Sequence, residues 1–304
     1  MPNTEFRGII AYPVTPFKGN GETVDTETLR RLIDQLIDNG AHAIAPLGST
    51  GESAYLTEAE WEEVAEVAIK QVNQRVPTII GISELTTQSA VRRAKFAEQV
   101  GANAIMVLPI SYWKLSELEV FQHYAAIAEA IGIPMMVYNN PATSGIDLSP
   151  ELIARMVKEI DNLTMVKESS GDIQRMHRLY ELSEGTIPFY NGSNPLALEA
   201  FVAGASGWCT AAPNLIPELT ISLYESTSKG NLFDAQQIFY QQLPLLKFIL
   251  KGGLPTTIKA GLKLLGIDAG VPRPPLMALD AIGIGQLSEL LTRLGKGQLV
   301  TSGR

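Results

Sequence analysis

The chain has 304 residues, 45% of them hydrophobic and 18% charged, the make-up of a globular protein of one large domain or two small ones. A net charge of −8 without any basic run argues against nucleic acid as a partner. The single Cys209 leaves no internal disulfide framework and fits a reducing, cytoplasmic compartment.

In chain order, the N-terminal MPNTEFRGII has no basic segment leading into an apolar run and does not read as a signal peptide. Short β-like runs then alternate with amphipathic helical runs. The strand candidates are 8–14, 42–48, 77–82, 103–109, 134–139, 163–167, 187–191 and 206–210. Helical patterns lie between them, as at 25–39 and 57–73. Asp25 is placed to cap the first, and Thr57 with Glu60 forms a capping box for the second. Gly40, Gly101 and Gly132 stand where a helix C-cap glycine belongs.

Strands separated by helices imply parallel pairing. Eight such units in about 220 residues predict a (β/α)8 barrel, a fold of ~250 residues. The alternative is a doubly wound open sheet, for which no strand–GxGxxG–helix fingerprint is found. Residues 1–215 form the expected barrel core. Residues 216–304 read as closing and C-terminal helices, packed on the barrel or at an oligomer interface. The apolar stretch Leu243 to Ile267 is broken by Lys247, Lys251, Gly252, Gly253 and Pro255, so it predicts packed helices and no membrane span.

Chemistry in such a barrel gathers at the C-terminal strand ends. The second strand ends in GSTGE (48–52), whose small residues and Ser49 and Thr50 hydroxyls suit a carboxylate or phosphate; a plain glycine-rich turn reads equally well. Tyr112 and Trp113 follow the fourth strand as pocket wall, proton carrier or simple loop packing. Tyr138, at the end of the fifth, points inward with Met136 and can shuttle protons or serve as a core aromatic. Lys167 closes LTMVK (163–167). Strict alternation puts Leu163, Met165 and Lys167 on one face, with the amine aimed into an apolar interior. Desolvation there leaves free amine able to attack a carbonyl, although a strand-end lysine can also snorkel to solvent. In the eighth strand, Ala205, Ser206 and Gly207 are small enough to let backbone approach a ligand.

AYPVTPF (11–17), GSTGES (48–53), YNNP (138–141), KESSGD (167–172) and GASGWCT (204–210) together resemble the dihydrodipicolinate synthase / N-acetylneuraminate lyase family of class I, Schiff-base aldolases. The likeness covers nearly the whole chain. It implies a (β/α)8 barrel with a C-terminal helical extension, assembled as a homo-oligomer (tetramer or dimer), acting on a 2-oxo acid such as pyruvate without cofactor. By the same resemblance, Lys167 is the Schiff-base lysine and Tyr138 the tyrosine that passes protons beside it. Ser49 and Thr50 bind the keto-acid carboxylate and join a proton relay, and Ser49 stands where threonine is usual. The backbone carbonyl of Cys209 faces the keto acid. Tyr112, after a one-residue shift between Pro109 and Ser116, matches a relay tyrosine inserted by a neighbouring subunit. Two positions depart from the pattern. Thr143 replaces the arginine with which true 4-hydroxy-tetrahydrodipicolinate synthases hold aspartate semialdehyde. Ser193 and Asn194, not an acidic pair, follow Tyr190-Asn191-Gly192. A 2-oxo acid or sugar-acid lyase, or a related dehydratase, therefore fits at least as well as either named activity.

Three competing readings remain. A metal-dependent enzyme needs clustered ligands, but His42, His123 and His177 are scattered and no HxH or HExxH spacing occurs. A phosphate-binding barrel would place its cradle after strands seven and eight, not after strand two. A keto-acid sensor that keeps the pocket without turnover is the non-enzymatic alternative.

Overall fold

The computed structural model describes residues 6–296. Among the described residues there are ten strands: β1 (Gly8–Ala11), β2 (Phe17–Lys18), β3 (Thr23–Val24), β4 (Ala43–Ile44), β5 (Ile79–Gly81), β6 (Ala104–Val107), β7 (Met135–Asn139), β8 (Leu163–Glu168), β9 (Phe189–Asn191) and β10 (Gly207–Thr210). All except β2 and β3 form one parallel sheet in the order β4-β1-β10-β9-β8-β7-β6-β5. A parallel bridge between Ile44 and Thr78 joins its two ends and closes the barrel. β2 and β3 make a separate antiparallel hairpin, an element the sequence pattern does not signal because it has only two residues per strand.

The eight expected strands all occur, mostly shorter than their apolar runs. Proline sets several limits, because it has no N–H to give a ladder. β1 stops before Pro13, β4 before Pro46 and β6 before Pro109, and β5 starts after Pro77.

The helices are α1 (Thr26–Asp38), α2 (Glu58–Val72), α3 (Thr87–Gln99), α4 (Glu117–Ala128), α5 (Pro141–Ser144), α6 (Pro150–Glu159), α7 (Ile173–Ser183), α8 (Ala197–Val202), α9 (Pro217–Ser228), α10 (Leu232–Gly252), α11 (Leu254–Leu264) and α12 (Ala281–Arg293). Asp25 caps α1 by accepting from the Thr28 N–H, and Thr57 with Glu60 forms the full reciprocal capping box of α2. Ser116 and Glu119 repeat that box at α4. Gly40 and Gly101 take the left-handed conformation expected after a helix. Gly132 does not: α4 ends at Ala128, and the Gly132 N–H instead donates to Glu98 Oε1 at 2.7 Å. Among the described residues no helix is long and apolar enough to cross a membrane.

The strict alternation expected for 163–167 fails at one place. In the β7–β8 pairing Met135 faces Leu163, but Met136 faces Met165, so Thr164 is an extra, unpaired residue. This bulge moves Leu163 onto the outer face, where it packs with Val166 against the helices. Met165 still joins the inner cluster with Met136 and Tyr138, and Lys167 faces inward as the pattern demands.

Candidate active site

Lys167 stands in register between Tyr138 of β7 and Tyr190 of β9. Its Nζ lies 3.7 Å from the Tyr138 ring centroid and 4.3 Å from that of Tyr12, a residue just beyond β1. Lys167 is only 5% exposed. Among the described residues no carboxylate pairs with it, although Glu168 is its immediate neighbour. Alternation turns Glu168 to the outer face, where it meets Arg175 at 3.3 Å and accepts from Ser170 N–H at 2.7 Å. The amine is therefore held by ring faces alone, a cation–π environment without a counter-ion. Close approach of β9 requires Gly192: a Cβ there would lie 2.7 Å from Lys167 Cε and 1.8 Å from Ser169 Oγ.

Around the amine lies a cavity of about 290 Å³. Lys167, Tyr138, Ser49, Thr50, Thr143 and Cys209, drawn from four separate strand ends, all line it. Asn140 Nδ2 donates to the Tyr138 hydroxyl at 2.8 Å. Burial pushes the Cys209 thiol up, which keeps it protonated, and the Lys167 charge opposes that only in part. Burial also raises the Tyr12 phenol well above its usual value, with Cys209 and Tyr138 adding to the shift, so Tyr12 stays a proton donor. Its hydroxyl points to Met106 Sδ at 3.1 Å.

The turn after β4 is shaped by backbone geometry. Leu47 and Glu52 both adopt left-handed φ, 60° and 55°. The N–H groups of Gly51 and Glu52 close the turn onto the Gly48 and Ser49 carbonyls. Those of Ser49 and Thr50 have no protein acceptor among the described residues, which leaves them, with both hydroxyls, available to an anion. Thr15 Oγ1 locks the turn by donating to Gly51 O at 2.6 Å.

The expectation for Ala205, Ser206 and Gly207 is corrected. Ala205 and Ser206 do not approach this cavity. They precede β10 and line a separate cavity of about 540 Å³ with Phe6, Arg7 and Tyr190 at the opposite barrel end. The apolar run marked the strand, but only its last residues, Cys209 and Thr210, reach the chemistry. Gly207 is small for a different reason, since a Cβ there would meet Gly8 O at 2.5 Å. Tyr112 is 94% exposed and lines no part of its own cavity. Sequence reasoning also missed Tyr12, whose only signal was its place in the AYPVTPF segment, and the Glu52 and Lys259 pair described below.

A second cavity of about 340 Å³ adjoins the first and shares Ser49, Tyr138, Thr143 and Leu254 with it. Among the described residues, the only charged side chain in the first is Lys167, and the only one in the second is Glu52.

A parallel eight-stranded barrel with one unpaired amine among tyrosines at its C-terminal mouth defines a class I lyase. The model of the dihydrodipicolinate synthetase family matches residues 5–294, and the chain belongs to that family. A putative dihydrodipicolinate synthetase from Pseudomonas aeruginosa is 62% identical, with a TM-score of 0.93 over 95% of this chain and 99% of that one. The 4-hydroxy-tetrahydrodipicolinate synthases of Methanopyrus kandleri and Geobacter sp. are each 33% identical. They cover 90% and 94% of this chain and 91% and 98% of their own lengths.

Proposed function

We propose that the protein is a 2-oxo acid lyase in which Lys167 condenses with the keto carbon of pyruvate or a pyruvate-like acid. The observation that carries this reading is the buried Lys167 amine, set over two tyrosine rings with no carboxylate among the described residues to hold it. The nitrogen lone pair forms the C–N bond, and the carbonyl oxygen takes up protons and leaves as water. The resulting imine draws electrons from C3. In cleavage the C3–C4 bond breaks into an enamine while the C4 hydroxyl loses its proton and becomes an aldehyde. Condensation is the reverse.

Ser49 and Thr50 bind the acid's carboxylate through hydroxyls and free N–H groups, and Tyr138, with Asn140 on its oxygen, carries protons at the imine. The Cys209 carbonyl faces the keto acid; its thiol takes no part. Tyr112 joins the relay from a second copy, which makes the working form a homo-oligomer, a tetramer or dimer. Its exposure and that of the adjacent Trp113, 80%, support this. We place the enzyme in the cytoplasm, which the single reduced Cys209 fits.

The acceptor aldehyde is uncharged. Among the described residues neither cavity offers a cation besides Lys167, and Thr143 supplies only a hydroxyl. The names of the relatives favour a second reading, condensation of pyruvate with aspartate semialdehyde, in which backbone amides of the 139–145 loop would hold the carboxylate. Borohydride with pyruvate should leave a stable adduct on the Lys167 peptide, read by intact and peptide mass. An adduct that survives in Lys167→Ala overturns the assignment. Comparing kcat/KM for aspartate semialdehyde with a panel of 2-keto-3-deoxy sugar acids and 4-hydroxy-2-oxo acids separates the two readings.

A further inference from the structure

We propose that Glu52 and Lys259 are positioning residues: a buried ion pair that clamps the C-terminal helices to the Ser49–Thr50 turn and so sets affinity for the keto acid. This rests on the lyase reading above, which gives those two hydroxyls their ligand.

Glu52 ends the turn three residues after Ser49, in a left-handed conformation that a side chain disfavours. It is 1% exposed, as is Lys259 of α11. Lys259 Nζ sits 2.6 Å from Glu52 Oε1, donates to Val271 O at 3.2 Å and covers the Phe17 ring at 4.0 Å. The other carboxylate oxygen, Oε2, accepts the Arg273 N–H at 2.7 Å. The Arg273 guanidinium carbon also lies 4.4 Å from the Phe17 centroid, and the guanidinium is bound to Glu60 of α2. That contact holds the Glu60 carboxyl down to about 2. The groups facing Lys259 are thus Glu52 from the turn, Arg273 from the segment after α11 and the Phe17 ring from β2. The other nearby charges, Lys263 with Asp268 and Lys18 with Asp25, pair among themselves at 3.5 and 3.9 Å.

The pair does not line the imine site, so it acts through the turn. One residue bridges the two parts: Leu254, the first of α11, lines both cavities five positions before Lys259. Loss of the ion pair would release the strained Glu52 backbone and with it the hydroxyl turn. Burial brings Lys259 down to about 8, so the clamp weakens as pH rises through that value. Global stability moves the other way. Between about 8 and 10.5 the unfolded chain binds more protons than the folded one, so this lysine's contribution to stability rises with pH. A loss of affinity above pH 8 is therefore not unfolding.

The half-saturating pyruvate concentration for borohydride trapping reads the clamp directly. In the unmodified enzyme it should rise roughly tenfold from pH 7 to pH 9, at undiminished Tm. In Glu52→Gln/Lys259→Met, which removes both charges together, it should be raised already at pH 7 and change less than about twofold over the same range. The adduct mass at saturation should be unchanged. A pH-flat half-saturation in the unmodified enzyme, which needs no variant to fold, overturns the clamp. So does a double variant whose half-saturation still climbs tenfold. An unmodified enzyme that traps no pyruvate at any concentration overturns the lyase reading instead.

Discussion

Two lysines are buried in this barrel, and they do opposite things. Lys167 and Lys259 are both nearly inaccessible, and each lies over an aromatic ring, Tyr138 at 3.7 Å and Phe17 at 4.0 Å. Lys259 has a carboxylate at 2.6 Å and a carbonyl at 3.2 Å, whereas Lys167 has neither. Burial and ring faces are therefore common ground. The counter-ion separates an amine tied up in an ion pair from one whose nitrogen has no carboxylate partner among the described residues. The acidic neighbour Glu168 is kept from becoming that counter-ion by strand alternation and by Arg175.

The comparison breaks most sharply at Lys167. Lys167→Ala should lower kcat by ~10⁴-fold or more, the scale for losing a covalent nucleophile, while leaving Tm undiminished because no ion pair is lost. Steady-state kinetics beside differential scanning fluorimetry checks both. A folded variant with more than a tenth of the original kcat would move the nucleophile elsewhere.

Tyr138→Phe keeps the ring face under Lys167 and removes the hydroxyl. Turnover should fall ~10²–10⁴-fold, with the pyruvate adduct still trapped. Near-normal turnover would reduce Tyr138 to a cation–π shelf.

The mirror experiment is Lys259→Met. It strands the Glu52 carboxylate in the interior, at a cost of about 3–5 kcal/mol, and should lower Tm by roughly 10 °C. Calorimetry decides it. An unchanged Tm would mean that the Arg273 N–H alone satisfies Glu52 and that the two lysines differ less than their distances suggest.

The smallest effect expected is a gain. Thr143→Arg adds a second cation beside Lys167 and should raise kcat/KM for aspartate semialdehyde by about 10–100-fold, the value of one charge-assisted hydrogen bond. No gain would show that the loop backbone already holds that carboxylate.

Much of this was legible in the sequence, for identifiable reasons. The eight strands announced themselves because parallel barrel strands are apolar on both faces, and Asp25, Thr57 and Glu60 did so because caps depend on local spacing. Lys167 and Tyr138 were visible because a polar residue ending an apolar strand needs a use. What stayed hidden depends on contacts distant in the chain. Glu52 and Lys259 are about two hundred positions apart, and neither looks unusual within its own helix or turn. Tyr12 acquires meaning only when β1 and β8 are brought across the barrel. The inner face of 163–167 was right at Lys167 and wrong at Leu163, since an inserted residue leaves no compositional mark.

That inserted residue gives β8 two reading frames. Before Thr164 the side chains follow one parity, and after it the other. The apolar residues that dock the strand's start on the helices are thereby uncoupled from the residues that face the substrate. Point substitutions at Leu163 or Thr164 preserve the frame and so preserve the direction of Lys167. Deleting Thr164 would preserve it too, because Leu163 outward and Met165 inward already alternate. Deleting Val166 would not: with the strand's start still docked, the amine would turn toward the helices and Glu168 toward the cavity. The strand thus tolerates a change of residue count at the bulge and not beyond it.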